Sequence, residues 1–217
     1  MIYLIKPGYE ILCLPTDALR LLELAGRVCY KTEDRITETS AALFVHKIVH
    51  SYQHESVIEH AHITVKFIID RGVSHELVRH RIASYSQEST RYCNYDKRGT
   101  TFIIPPWTAI TAGTYSVESI SEQMSLTDGI WLSSMLLASS AYSDLLNHGW
   151  KPQQARSVLP NSLKTEIVVT ANFREWRHIF KLRTAEAAHP QIREVMIPLA
   201  EEFAFLFPCV FGTGASC

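Results

Sequence analysis

Two short runs of β-branched residues stand in a chain otherwise patterned for helices, and they constrain its fold more than any other feature. His62-Ile-Thr-Val-Lys-Phe-Ile-Ile69 partly alternates apolar with polar positions, as a half-buried strand does. Glu166-Ile-Val-Val-Thr-Ala171 is the second run, and Phe102-Ile103-Ile104 is a shorter strand stopped by Pro105-Pro106. Elsewhere apolar residues recur at helical spacing. One helix starts at Thr16-Asp17 and carries Leu21, Leu22, Leu24, Ala25, Val28 and Cys29; a second spans about Ser40 to Ser51. A long helix runs from about Leu126 to Leu146, rich in small residues such as Ser133, Ser134, Ala138 and Ser139. Asn172 is placed to cap a helix over Phe173–Leu182, and a last helix runs from His189-Pro190 to Phe207. The pieces around Pro7-Gly8, residues 2 to 13, suggest a small hairpin. Glu76 to Arg81 has helix-forming composition, and polar Ser84 to Thr90 reads as a loop. The sum predicts a helix-rich α+β fold with a few antiparallel strands. No repeat or linker divides the 217 residues, so a single domain over 1–217 is expected.

Charge and cysteine content narrow the function classes. Lys+Arg is 21 against Asp+Glu 22, a formal net charge of -1. Proteins that bind bulk nucleic acid carry a basic surplus, so no nucleic-acid partner is expected. No apolar run reaches the roughly 18 residues of a membrane span, so no membrane association is expected. Met1–Gly8 lacks the basic head and apolar stretch of a secretory leader, which favours a cytoplasmic location. Five cysteines without a CxxC pair read as reduced thiols.

Positive charge is concentrated at Arg79-His80-Arg81, and Arg91 follows ten residues on, preceded by Gln87-Glu88-Ser89-Thr90. Arginine presents a planar fork of donors that matches phosphate oxygens. The hydroxyls and amide beside it suit the edge of a nucleobase or a flavin ring. A solvated basic surface paired with Asp70 and Glu76 explains the triplet equally simply. A second basic cluster, Asn172, Arg174, Arg177, His178, Arg183 and His189, opens and follows a helix. It is a phosphate or carboxylate site, or a solvated face paired with Glu175 and Glu186. His54-Glu55 and Glu59-His60-Ala61-His62 do not make a metal site: HExxH spacing needs histidine at 58, where Ile58 stands. G-x-G-x-x-G, P-loop and G-x-S-x-G signatures are missing, and nothing marks Cys93 as a nucleophile.

Taken together these segments resemble the flavin-dependent thymidylate synthases. The family signature, RHR followed by seven residues and serine, is matched by Arg79-His80-Arg81, Ile82 to Glu88, and Ser89. The resemblance extends to His54-Glu55-Ser56, Ala155-Arg156-Ser157-Val158-Leu159-Pro160, Asn172-Phe173-Arg174, and Leu182-Arg183 with His189. It implies a curved, mostly antiparallel sheet flanked by helices, and a homotetramer with active sites between subunits. It implies methylation of dUMP to dTMP, with 5,10-methylenetetrahydrofolate as carbon donor, FAD as cofactor and NADPH as reductant. By motif position, Arg79, His80, Arg81, Ser56 and Gln87 would contact FAD, with Asn172, Arg174 and His178. The dUMP site would use Glu76, Arg79, Gln87, Ser89 and Arg91, with Arg156 and Arg183, and Glu88 and Thr90 would line it through the loop backbone. His54 would lie along the folate and nicotinamide access path. Arg183 would be the catalytic residue, since no cysteine occupies a motif position. Ser89 would bind rather than attack, because no base adjoins it. Outside that resemblance, the residues also suit a non-catalytic anion- or RNA-binding module built on an Arg79-His80-Arg81 helix, or a subunit that keeps the fold for assembly only.

Overall fold

In the computed structural model, which describes residues 1–97, 99–121 and 123–212, both β-branched runs are strands. They are β3 (His62–Asp70) and β7 (Lys164–Asn172). Burial alternates along each: Ile63, Val65, Phe67 and Ile69 face inward on β3, as do Thr165, Ile167, Val169 and Ala171 on β7. That period of two is what their composition predicted. They are the inner strands of a four-stranded sheet, in the order β2-β3-β7-β4, with β2 at Gly8–Cys13 and β4 at Ala83–Gln87. The β3–β7 register is antiparallel: Arg71 N–H donates to the Leu163 carbonyl, Phe173 N–H to the Ala61 carbonyl, and the Thr64 and Thr170 hydroxyls meet at 2.9 Å.

Contacts group the chain into two units. The first takes in Met1–Gly8, Phe67–Arg79 and Ser86–Ile167; the second takes in Tyr9–Lys66, His80–Tyr85 and the residues from Val168 onward. In the first, β1 (Ile2–Ile5) is the middle strand of a three-stranded sheet, between β5 (Thr100–Ile103) and β6 (Gly113–Tyr115). It runs parallel to β5, with Ile2 opposite Thr100, and antiparallel to β6. The hairpin expected over residues 2 to 13 is therefore wrong: β1 and β2 belong to different sheets. The long helix α4 (Leu126–Asn147) starts where the Ser125 hydroxyl accepts the Asp128 N–H at 3.1 Å. Its Leu132, Met135 and Tyr142 share one buried cluster with Ile2, Leu4 and Phe102. The four-residue α5 (Pro152–Ala155) follows, with proline at its first turn.

In the second unit, α1 (Ala18–Tyr30) buries Glu23, which is paired with Arg27 at 2.9 Å and accepts the Ser40 hydroxyl at 2.9 Å. Gly26 faces Phe44 of α2 (Ser40–His46), where a Cβ would lie 2.6 Å from the ring. Glycine is what lets the two helices approach that closely. The expected helix over 40–51 exists, but its last turn, Lys47–Ser51, is π-helical. The aromatic core gathers Phe173, Trp176 and Phe180 of α6 (Phe173–Arg183), Phe203 of α7 (Pro190–Leu206), and Phe211 of α8 (Pro208–Phe211). Trp176 also donates its indole N–H to the Ile63 carbonyl at 3.1 Å.

Two readings around the RHR triplet are corrected. The helix there is α3 (Arg71–Leu77), capped by the Asp70 carboxylate on Val73 N–H at 2.7 Å, and it ends before Arg79. Arg79 lies in the turn that follows, and His80 is buried between exposed Arg79 and Arg81. Residues 84 to 87, read as loop, form most of β4: their polarity hides a strand in which Ala83, Tyr85 and Gln87 alternate with exposed Ser84 and Ser86. Cysteine needs one correction too. Cys13, Cys29 and Cys93 are free, whereas buried Cys209 is disulfide-bonded, a pairing that CxxC spacing does not detect.

Candidate active site

In the first unit, the polar segment after β4 is fastened from three sides. Gln87 donates its amide N–H to the Ser74 hydroxyl at 2.8 Å and to the Thr165 hydroxyl at 3.2 Å. That spends its donors and leaves its carbonyl oxygen to accept. Glu88 N–H donates to the Glu166 carbonyl at 2.8 Å, while its carboxylate takes Lys164 Nζ at 3.1 Å. Lys164 also holds Glu166 at 2.6 Å. Burial alone would lower the Lys164 pKa, but its bonds to Glu166 and Glu88 outweigh that and hold it above the usual lysine range. Beyond Glu88, the Ser89 carbonyl accepts the Tyr92 and Cys93 N–H groups, and Ser89 Oγ accepts Arg91 N–H at 3.3 Å. Arg156, distant in sequence, reaches buried Thr90 Oγ1 with Nη1 at 3.1 Å. So Gln87 to Arg91 and Arg156 come together as expected, with Glu76 on α3 in the same unit. Arg79, Arg91 and Arg156 are exposed, and among the described residues none of them has a carboxylate partner.

In the second unit, the α6 cluster closes on His80. Arg183 Nε donates to His80 Nε2 at 3.0 Å, Glu175 Oε1 lies 3.7 Å from His80 Nδ1, and the His178 ring meets His80 edge-on at 5.7 Å. His80 is 4% exposed. Burial, then the charges of Arg183 and His178, lower its pKa to about 4. The imidazole is therefore neutral at pH 7, and the Glu175 approach is a long polar contact rather than an ion pair. Burial raises the Glu175 carboxyl against the opposing pull of His178 and Arg174. Tyr85 donates its hydroxyl to the His80 carbonyl at 2.6 Å, and burial, with Glu175 beside it, pushes that phenol up to about 12.

Asn172 caps α6 as expected, with Oδ1 accepting Glu175 N–H at 2.8 Å. Arg174 is exposed but taken: it meets Glu59 at 2.6 Å and Glu55 at 3.7 Å, where the sequence pointed to Glu175 and Glu186. Arg177 pairs with Glu55 at 3.1 Å and donates to the Val210 carbonyl. Ser56 lies exposed in the 3-10 turn Glu55–His60, and exposed His54 holds the Tyr30 hydroxyl at Nδ1, 2.5 Å away. Arg81 is exposed. Lys164, Thr165, Ser74 and Tyr85 escaped the sequence reading, and Glu175 entered it only as an ion-pair partner of the basic cluster. The period of β7, which sets Lys164 and Glu166 on one face, was the signal that could have found Lys164. No group of three or more His, Cys, Asp or Glu among the described residues could hold a metal ion. Among them, too, no helix is long and apolar enough to cross a membrane.

Residues 11–209 match the family model Thy1, thymidylate synthase complementing protein. The chain is 38% identical over 189 residues to the flavin-dependent thymidylate synthase of Pyrococcus furiosus, spanning 85% of this chain and 71% of that protein. It is 35% identical over 209 residues to that of Geobacter sulfurreducens, spanning 93% and 84%. Its fold resembles thymidylate synthase X (ThyX) from Helicobacter pylori with FAD and dUMP, at TM-score 0.73 and 21% identity, covering 94% of this chain and 99% of that one. It also resembles the UMP/dUMP methylase PolB from Streptomyces cacaoi bound with 5-Br dUMP, at TM-score 0.74 and 25% identity, covering 97% and 95%.

Proposed function

We propose that this chain, which belongs to the flavin-dependent thymidylate synthase family, methylates dUMP to dTMP, with 5,10-methylenetetrahydrofolate as carbon donor and NADPH as reductant. The observation that carries the reading is the 3.1 Å contact joining Arg156 to Thr90. It sets the Arg156 guanidinium beside the Thr90 hydroxyl, on the same loop as Ser89 and Arg91, a constellation suited to a nucleoside monophosphate. The FAD diphosphate suits the donors of this chain as well: Arg79 and Arg81 are exposed and lack carboxylate partners among the described residues. The Arg79 and Arg81 side chains and the backbone between them, with Ser56, Gln87, Asn172, Arg174 and His178, would hold it, and Arg174 would exchange Glu59 for the ligand.

When bound, FAD supplies the hydride and is itself reduced by NADPH. The protein supplies position and charge. Arg91, Arg156 and Ser89 hold the phosphate end of dUMP, Glu76 and the Glu88–Thr90 backbone line the nucleotide, and the Gln87 carbonyl accepts from it. Arg183 stabilises negative charge on the uracil at N3 and O2, which raises the nucleophilicity of C5 without a thiol adding at C6. Its guanidinium keeps its charge where a lysine could lose it. Ser89 binds rather than attacks, since among the described residues no carboxylate or imidazole hydrogen-bonds its hydroxyl. His54 lies on the access path of folate and nicotinamide. The chain works as a single catalytic module in the cytoplasm and as a homotetramer with active sites shared between copies.

The test is an absorbance spectrum of the purified protein with and without NADPH, followed by assay of dTMP formation. The expected protein is yellow, bleaches with NADPH and forms dTMP only with all co-substrates. A colourless protein that cannot be loaded with FAD, or one that binds RNA with a steep salt dependence instead, overturns the reading.

A further inference from the structure

We infer that His80 is the positioning residue for Arg183: its imidazole accepts the Arg183 Nε–H at Nε2, is backed at Nδ1 by the Glu175 carboxylate, and so fixes the plane of the guanidinium that faces the uracil. The inference rests on the catalytic role proposed for Arg183. The family resemblance places the whole RHR triplet on FAD; the geometry gives its central residue a different occupation.

Arginine has donors only, so at 3.0 Å the Nε2 of His80 must present its lone pair. The ring proton then sits on Nδ1 and points at Glu175 Oε1, 3.7 Å away, too far for a full hydrogen bond but close enough to favour that tautomer. The arrangement works only while His80 is neutral, because a cationic imidazole has no lone pair and would repel Arg183. Its surroundings keep it so. From α6 it faces Arg183, His178 and Glu175; from β4, Tyr85 bonds its carbonyl; and Arg81 follows it in the chain. Burial, and then Arg183 and His178 beside it, disfavour protonation. A side chain 4% exposed and turned toward Arg183 is an internal prop. Arg183 has several rotatable bonds, and anchoring it at Nε decides where its two terminal nitrogens point. Misplacement of such a group by about 1 Å costs on the order of a hundredfold in rate.

The experiment compares wild type, His80→Leu and His80→Gln, each loaded with FAD, by flavin content, kcat and KM for dUMP. His80→Leu should lose about a hundredfold in kcat with flavin content kept, since the acceptor is gone. His80→Gln offers an amide oxygen at similar reach and should recover most of that loss, which a merely space-filling role would not explain. A kcat for His80→Leu within twofold of wild type overturns the inference. So does a glutamine variant as slow as the leucine one, or a loss of FAD in step with kcat, which would return His80 to cofactor contact. A second measurement serves where the leucine variant does not fold or where wild type forms no dTMP; the latter is the failure of the functional reading itself. It is ¹⁵N NMR of histidine-labelled wild-type protein at pH 7. A neutral His80 with a bare Nε2 supports the prop; a protonated Nε2 overturns it.

Discussion

Some arginines here are matched to carboxylates and others are not. Arg27, Arg174 and Arg177 are matched to Glu23, Glu59 and Glu55, whereas Arg79, Arg81, Arg91 and Arg156 have no such match among the described residues. Arg183→Ala should cut turnover sharply while sparing flavin content; an assay that finds FAD lost first contradicts the proposed division of sites. Lys164→Met leaves the Glu88 and Glu166 carboxylates without their shared cation. The Glu88–Arg91 loop should then loosen and KM for dUMP rise about tenfold, with Lys164→Arg milder; steady-state kinetics decide. His80 links the same cluster to stability. An unfolded imidazole takes up its proton near 6.5, the folded His80 near 4. Between those values the unfolded chain binds more protons, so the folded state is favoured less as pH falls from 6.5 towards 4. Melting curves across that window should drop more steeply for wild type than for His80→Gln. Sequence singled out Arg79, Arg91 and Arg183 because their residue type announces anion chemistry, and the family resemblance added Ser89 and Arg156. It missed Lys164, whose importance lies in what it touches, and contact between distant segments leaves no local pattern.

At the scale of elements, one device is used twice: a strand runs without a linker into a helix, and its last residue is the cap. Asp70 ends β3 and caps α3, and Asn172 ends β7 and caps α6, with ψ of 166° and 168° respectively. Removing either side chain strands a helix-terminal N–H, so Asp70→Ala and Asn172→Ala should each lower stability by about 1 kcal/mol in urea unfolding, with Asn172→Asp nearly neutral. β3, β7 and α1 were legible because many residues repeat one period, and α4 from its length and its run of small residues. β4 was not, since Ser84, Tyr85, Ser86 and Gln87 offer a strand no apolar face. The end of α3 was missed for a related reason: Val78 and Arg79 are acceptable helix residues, and burial of His80 overrides their propensity.

For the whole molecule, a net charge of -1 beside unmatched arginines means that attraction to nucleotides is local. Affinity for dUMP, titrated calorimetrically, should weaken as salt rises from 0.05 to 0.5 M, by about tenfold if exposed guanidiniums carry the phosphate. Sedimentation should find four copies together; a monomer with full turnover would count against shared sites. The pairing of Ile2 with Thr100 has a consequence for synthesis. β1 leaves the ribosome almost a hundred residues ahead of its parallel neighbour β5. At roughly 5–20 residues per second, that strand waits on the order of 5–20 s with both edges bare. Translation that stalls before Thr100 therefore leaves Ile2 and Leu4, fully buried in the folded protein, without a neighbouring strand, the state that chaperones exist to shield.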